Sequence, residues 1–198
     1  MAVNLTKFNV IGGADGILVQ PKLQYRFRVT LTNFGGSTSA ELTSQVVSVA
    51  RPSLTHDDVV IDVYNSKINL AGKHTWDPIA LTVRDDVTGA VAKSIAAQLQ
   101  RQVDHAEQSS ARAGAGYKFG MKIENLDGSN STENVLDAWD LGGCYIQNVN
   151  YGENNYATSD AIQITITIKY DNADHIDASG TAMLEGGIGD GGGDSSTG

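Results

Sequence analysis

The sequence predicts a mainly β domain with one helix, and three stretches of strict alternation carry that prediction. In the first, Tyr25, Phe27, Val29 and Leu31 alternate with Arg26, Arg28, Thr30 and Thr32. In the second, Tyr117, Phe119, Met121 and Ile123 alternate with Lys118, Gly120, Lys122 and Glu124. In the third, Ile162, Ile164, Ile166, Ile168 and Tyr170 alternate with Gln163, Thr165, Thr167 and Lys169. Successive strand side chains point to opposite faces, so each stretch reads as a strand with one face on a core and the other in water.

In chain order, residues 1–20 contain Gly12, Gly13 and Gly16 and show no periodicity, which reads as an N-terminal arm ahead of Pro21. Residues 45–50, 59–64, 79–85 and 144–151 are weaker strand candidates, rich in β-branched side chains. They bring the expected total to about seven strands. Between them Val91, Ala92, Ile95, Ala96, Leu99 and Val103 fall within an arc of roughly 140° at helical spacing, which predicts an amphipathic helix. Thr88 is its expected N-cap, and Asp85 and Asp86 stand near the positive end of its dipole. Ser109, Ser110 and the Gly114-Ala115-Gly116 break end the pattern. Residues 173–198 hold glycine, aspartate and serine with little to bury, and read as an acidic, flexible C-terminal tail. The expected organisation is an arm over 1–20, a β domain over 21–172 and a tail over 173–198.

Composition narrows the function. A chain of 198 residues, 40% of them hydrophobic, supports one sizeable core. No run approaches the roughly 18 apolar residues of a membrane helix, and residues 1–10 lack a secretory pattern. The expectation is a soluble protein made in the cytoplasm, with no membrane partner. Cys144 is the single cysteine, which excludes an internal disulfide, and its apolar setting reads as a small buried hydrophobe. The net charge is −9, yet six of the 23 acids lie after Tyr170 with no Lys or Arg among them, so residues 1–170 carry only −3. No basic stripe is available to grip phosphates, and stable nucleic-acid binding is not expected.

The chemistry-bearing residue types do not assemble into a reactive motif. The run Gly186-Gly187-Ile188-Gly189-Asp190-Gly191-Gly192-Gly193-Asp194 is similar to a calcium-binding nonapeptide repeat, but it misses that spacing and does not recur. Asp57 with Asp58 and Asp85 with Asp86 are adjacent pairs, and neighbours on a strand point to opposite faces. His56, His74, His105 and His175 show no metal-ligand spacing. No catalytic residue, metal site or cofactor is expected, and the chain reads as a non-enzyme. A small β-rich hydrolase using these acids or Cys144, and a β-sandwich ligand-binding module using Trp76 and Trp139, are the alternatives from other classes.

One segment, residues 65–78, reads as a connection longer than a hairpin turn requires. It combines Lys67 and Lys73 with Ile68, Leu70 and Trp76, a mixture suited to a protein interface, against the plainer reading of a loop with Trp76 folded onto the core. Extended to residue 86 it reads NSKINLAGKHTWDPIALTVRDD. This stretch resembles the tail tube proteins of contractile, T-even-type phages, in which a strand ends in N-x-K-I-N-x-A-G, followed by an aromatic and a strand closing on an acidic pair. The resemblance extends over residues 21–172 in element order.

The resemblance implies two packed antiparallel sheets forming a β-barrel or sandwich with one flanking helix. It implies hexameric rings stacked into a hollow tube in a virion tail, a sheath protein outside, tape-measure and baseplate or terminator proteins as further partners, and transient passage of DNA. A bacteriocin or type VI-like injection tube is the alternative within the same architecture. Asn65, Lys67, Ile68, Asn69, Leu70, Gly72, Lys73 and Trp76 are the expected contacts between subunits and rings. Asp58 and Asp62, on one strand face, are the candidate lumen-facing acids.

Overall fold

The computed structural model describes residues 21–35, 43–110, 116–128 and 135–183; the N-terminal arm and the glycine-aspartate run lie outside them. In chain order the elements are β1 (Phe27–Thr32), β2 (Val46–Val49), β3 (Leu54–Val63), β4 (Ser66–Trp76), β5 (Ile79–Arg84), α1 (Ala90–Gln102), β6 (Val103–Asp104), β7 (Ser109–Ser110), β8 (Phe119–Leu126), β9 (Val135–Asn150), β10 (Gln163–Lys169) and β11 (Asn172–Asp177). Seven strands form an antiparallel sheet in the order β1-β8-β9-β10-β5-β2, with β11 also on β9. Among the described residues β3 pairs only with β4, and β6 only with β7.

The long strand β9 explains how one sheet makes two layers. Its first half pairs with β8 on one side and β11 on the other, and its second half pairs with β10. Gly142 and Gly143 lie between the halves, and Gly143 has φ +69°, a left-handed conformation that glycine adopts without steric cost. A Cβ at Gly143 would overlap the Asp171 carboxylate, which is itself paired with Lys118. Glycine is required there twice over. Both halves contribute to one core, so the two packed antiparallel sheets expected from the sequence are the two limbs of a single bent sheet.

The alternating stretches build that core. Ile164, Ile166 and Ile168 face Val83, Leu81 and Ile79 across the β10–β5 ladder, all at most 2% exposed. On the other limb a row runs across four strands through Leu31, Met121, Leu141 and Ala173. Ala173 is buried, so the domain continues through β11 where the sequence suggested tail from residue 173. Residues 172–177 are mostly polar, and only pairing with β9 makes them a strand. Two expected inward residues lie outside the core: Tyr25 and Ile162 are exposed because the ladders begin at Phe27 and Gln163.

α1 closes the barrel with Val91, Ile95 and Gln98 on its buried face. Its N-cap position is Gly89, not Thr88; the Asp86 carboxylate accepts the Ala90 N–H at 3.0 Å and the Thr88 hydroxyl as well. Those hydrogen bonds, that from Thr88 foremost, hold the Asp86 carboxyl below its ordinary range. Val103 is extended and 38% exposed, so the helical arc ends one residue before it, and Ala96 also faces outward.

Gln98 is the polar residue that the helical arc misses. Fully buried, its Oε1 accepts the Gly35 N–H at 2.9 Å and its Nε2 donates to the Tyr117 carbonyl. Gln98→Leu would leave both backbone groups without a partner. We expect a loss of about 2 kcal/mol of unfolding free energy, read from urea denaturation. At the end of α1, Gln102 donates to the Ile146 carbonyl and accepts the Ile146 N–H, each at 3.0 Å. Its amide occupies the edge of β9 as a neighbouring strand would.

One end of the core is polar. Asp137, 4% exposed, accepts hydrogen bonds from Asn125 Nδ2 at 2.8 Å and His175 Nε2 at 3.0 Å, and pairs with Lys22 Nζ at 3.1 Å. His175 stacks on Trp139 with ring centroids 4.2 Å apart. Glu124, 5% exposed, is held by Arg28 Nε at 2.6 Å and Lys122 Nζ at 3.2 Å.

Candidate functional site

The segment expected as a long loop is a strand. β4 pairs with β3 along almost its whole length, Leu54 opposite Trp76 through to Val63 opposite Ser66, and the turn is only Tyr64 and Asn65. The ladder is interrupted where His56 faces His74 but Asp58 faces Ala71, so Gly72 and Lys73 together oppose Asp57 in a bulge. A Cβ on Gly72 would lie 2.8 Å from the Asp57 carbonyl oxygen. Glycine thus allows the close approach of the two backbones. The bulge shifts the parity of β4, which breaks its alternation and lets it read as a loop.

Register then sorts the side chains beyond the bulge. Val59, Ile61 and Val63 share one face with Ile68 and Leu70, and Asp58, Val60 and Asp62 share the other with Ala71, Asn69 and Lys67. The five apolar residues of the first face are 44–49% exposed, which leaves a continuous apolar stripe in water. The opposite face is polar but not uniformly acidic, since Lys67 Nζ lies 3.6 Å from Asp62 Oδ1. At the tip Tyr64 is fully exposed with φ +47°, a strained conformation for a bulky side chain.

The base of the hairpin is anchored. Trp76 is 9% exposed and packs at 5.8 Å on Tyr170, so it belongs to the chain's own core and is not the exposed contact residue expected. Two residues before Pro78, it is where β4 enters the main body, and the Asp77 N–H donates to the Ser53 carbonyl at 3.0 Å. Burial pushes the Tyr170 hydroxyl pKa up. Of the expected contacts, Ile68 and Leu70 lie on the apolar face, Lys67 and Asn69 on the polar face, Asn65 in the turn, and Gly72 and Lys73 at the bulge. Val59, Ile61 and Val63, which share the apolar face with Ile68 and Leu70, were not among the expected contacts. Their spacing was the available signal, but it also fits a strand facing the chain's own core.

Two of the remaining candidates are engaged within the chain itself. Cys144 is fully buried, and burial pushes its thiol up to about 12, far from the thiolate a nucleophile needs. Trp139 stacks one face on His175, and Trp76 is buried in the core. A concavity of about 1010 Å³ lies between β1 and β2, but its Arg28 and Arg51 are engaged by Glu124 and Asn125. Among the described residues, no three His, Cys, Asp or Glu side chains converge as metal ligands, and no helix is long and apolar enough to cross a membrane.

No protein-family model matches the chain, and no curated protein sequence does either. Solved structures match in fold. A chain of the anti-feeding prophage tube-terminating cap gives a TM-score of 0.61 at 17% identity, over 83% of this chain and 97% of that one. A chain of the sheath-tube complex of the PVC extracellular contractile injection system, in its extended state, gives 0.60 at 13% identity, over 89% and 99%. A chain of the anti-feeding prophage baseplate, 6-fold symmetrised, gives 0.59 at 12% identity, over 81% and 99%. A bent antiparallel sheet closed by one helix, with a separate projecting hairpin, is therefore the tail-tube-like fold found in contractile injection systems.

Proposed function

We propose that this chain is a structural, non-enzymatic subunit of the inner tube of a contractile tail. Copies assemble as hexameric rings, and the rings stack into a hollow conduit. The carrying observation is the β3–β4 hairpin: an amphipathic two-stranded ribbon with an uncovered apolar face, on a tube-type fold. A two-stranded ribbon is marginal by itself, and a third layer on its apolar face stabilises it. A second copy of the chain is the occupant that repeats without limit along a tube. Asn65, Lys67, Ile68, Asn69, Leu70, Gly72 and Lys73, joined by Val59, Ile61 and Val63, make the contacts between subunits and rings, while Trp76 holds the hairpin to its own subunit.

In this reading Asp58 and Asp62 face the lumen, where carboxylates repel DNA and allow it to slide. The sheath packs outside, and tape-measure, baseplate and terminator proteins meet the tube inside and at its ends. The particle is a phage tail in which the tube carries DNA, and the subunit is made in the host cytoplasm.

The cross-strand pair Ile61 and Ile68 provides the test. Ile61→Lys with Ile68→Asp replaces an apolar pair by an ion pair, which preserves the hairpin and removes its sticky face. Wild-type protein is expected to form rings or tubes in negative-stain electron micrographs, and the double variant to sediment as a folded monomer. A wild-type chain that stays monomeric at high concentration would sink the proposal.

A further inference from the structure

The sequence separates His56 from His74 with no recognisable ligand spacing, but the β3–β4 register sets them directly opposite each other. Directly opposed residues on antiparallel strands point to the same face, with Cβ atoms about 4.5–5.5 Å apart. Here the two imidazole centroids are 6.1 Å apart, and both side chains are exposed. We propose that His56 and His74 form a binding site for one borderline divalent transition metal ion, of the zinc, nickel and copper class, at the root of the hairpin.

The distance fits the chemistry. A metal–nitrogen bond of about 2.0–2.1 Å places each ring centroid about 3.2 Å from the ion, so two rings sharing one ion have centroids about 5 to 6.4 Å apart, depending on the angle at the metal. The observed separation lies between the roughly 5.2 Å of a tetrahedral angle and the roughly 6.4 Å of a trans pair, so a small rotation of the two exposed rings brings both onto one ion. Imidazole is a preferred ligand for this class of ion, whereas calcium and magnesium require oxygen donors.

The surroundings fix the pair. On one side the Gly72–Lys73 bulge pins the register, and on the other Trp76 and Tyr170 anchor the strands in the core. Asp58 lies on the same face of β3, but among the described residues no third ligating group converges with the two histidines. The remaining positions on the ion belong to water or to a donor from outside the chain. The site is therefore an open two-imidazole chelate, distinct from the closed four-ligand cage of a structural zinc. Bound metal would join β3 to β4 at the point where the hairpin leaves the domain. The site lies within one chain and stands whether or not the chain assembles into tubes.

The full chain, freed of any polyhistidine tag, can be titrated with Ni²⁺ by isothermal calorimetry at pH 7.5. One ion per chain is expected, and His56→Ala and His74→Ala should each weaken binding at least tenfold. His105→Ala, at an exposed position away from the hairpin, should bind as wild type. His56→Phe keeps a ring beside His74 but cannot ligate, so it too should lose binding; this separates ligation from packing. Trp76 gives an optical readout, because its ring lies 6.3 Å from that of His74. In a Trp139→Phe background Trp76 is the sole tryptophan, and Cu²⁺ should quench its fluorescence only while both histidines are present. Absence of saturable binding in the wild type, or wild-type affinity in any of the His56 or His74 variants, would overturn the proposal.

Discussion

Replacing Asp137 with alanine lowers the unfolding free energy by about 3–5 kcal/mol, the scale of breaking a buried, hydrogen-bonded ion pair. The carboxylate joins four parts of the chain: Lys22 ahead of β1, Asn125 on β8, its own strand β9 and His175 on β11. Without it Asn125 and His175 lose their shared acceptor inside the protein, and the edge strand β11 loses its side-chain tie to the sheet. The expected signature is a lower urea midpoint at pH 7 with an unchanged slope. A loss under 1 kcal/mol would show that solvent replaces the carboxylate at little cost.

The same residue sets a pH dependence. Burial pushes the Asp137 carboxyl up, but hydrogen bonds from His175, Asn125 and Lys22, with the Lys22 charge, outweigh it and leave the group below its ordinary range. A carboxyl with a depressed folded pKa binds fewer protons folded than unfolded. Its contribution to stability is therefore complete above the unfolded value of about 3.9 and declines as pH falls through the folded value. The stability gap between wild type and Asp137→Asn should narrow as urea curves are taken from pH 7 down through pH 3. Glu124, also depressed against its own burial by Arg28 and Lys122, keeps its share of acid sensitivity in both proteins.

The second large effect is expected at Gly143. Gly143→Ala combines a left-handed backbone, worth about 1–2 kcal/mol against an L-residue, with overlap on the Asp171 carboxylate, for a total of about 3 kcal/mol. A double-mutant cycle separates the two. Asp171→Ala alone removes an exposed ion pair with Lys118 and should cost under about 1 kcal/mol. In that background Gly143→Ala should cost only the backbone share. Equal costs in both backgrounds would mean that β9 moves away from Asp171 and that the overlap is not felt.

What the sequence revealed of the fold follows a physical boundary. β1, β8 and β10 were legible because each divides cleanly between core and water, and alternation records that division. β4 was hidden because the bulge at Gly72 shifts its parity. β11 was hidden because residues 172–177 carry little apolar character and become a strand only beside β9. Gln98 was left out of the buried arc because the groups it satisfies, at Gly35 and Tyr117, lie elsewhere in the chain.

The stretch expected as a contact loop is a strand, β4 of a projecting hairpin. Composition marked residues 65–76 as unusual, while the partnership of Ile61 with Ile68 and of His56 with His74 is a property of register, which no local window contains. Trp76 shows the limit most directly. An aromatic in an interface-like segment is equally what a hairpin needs to root itself in its own core.

The Gln102 amide, hydrogen-bonded both ways to Ile146, has a consequence for traffic between molecules. A bare strand edge is an open invitation to any extended chain, including a nascent copy of the same protein during synthesis. Here a single side chain impersonates a peptide unit and declines that invitation. Pairing by another strand is thereby blocked at this stretch of β9, while β1 and β2 remain the outer strands of the sheet among the described residues.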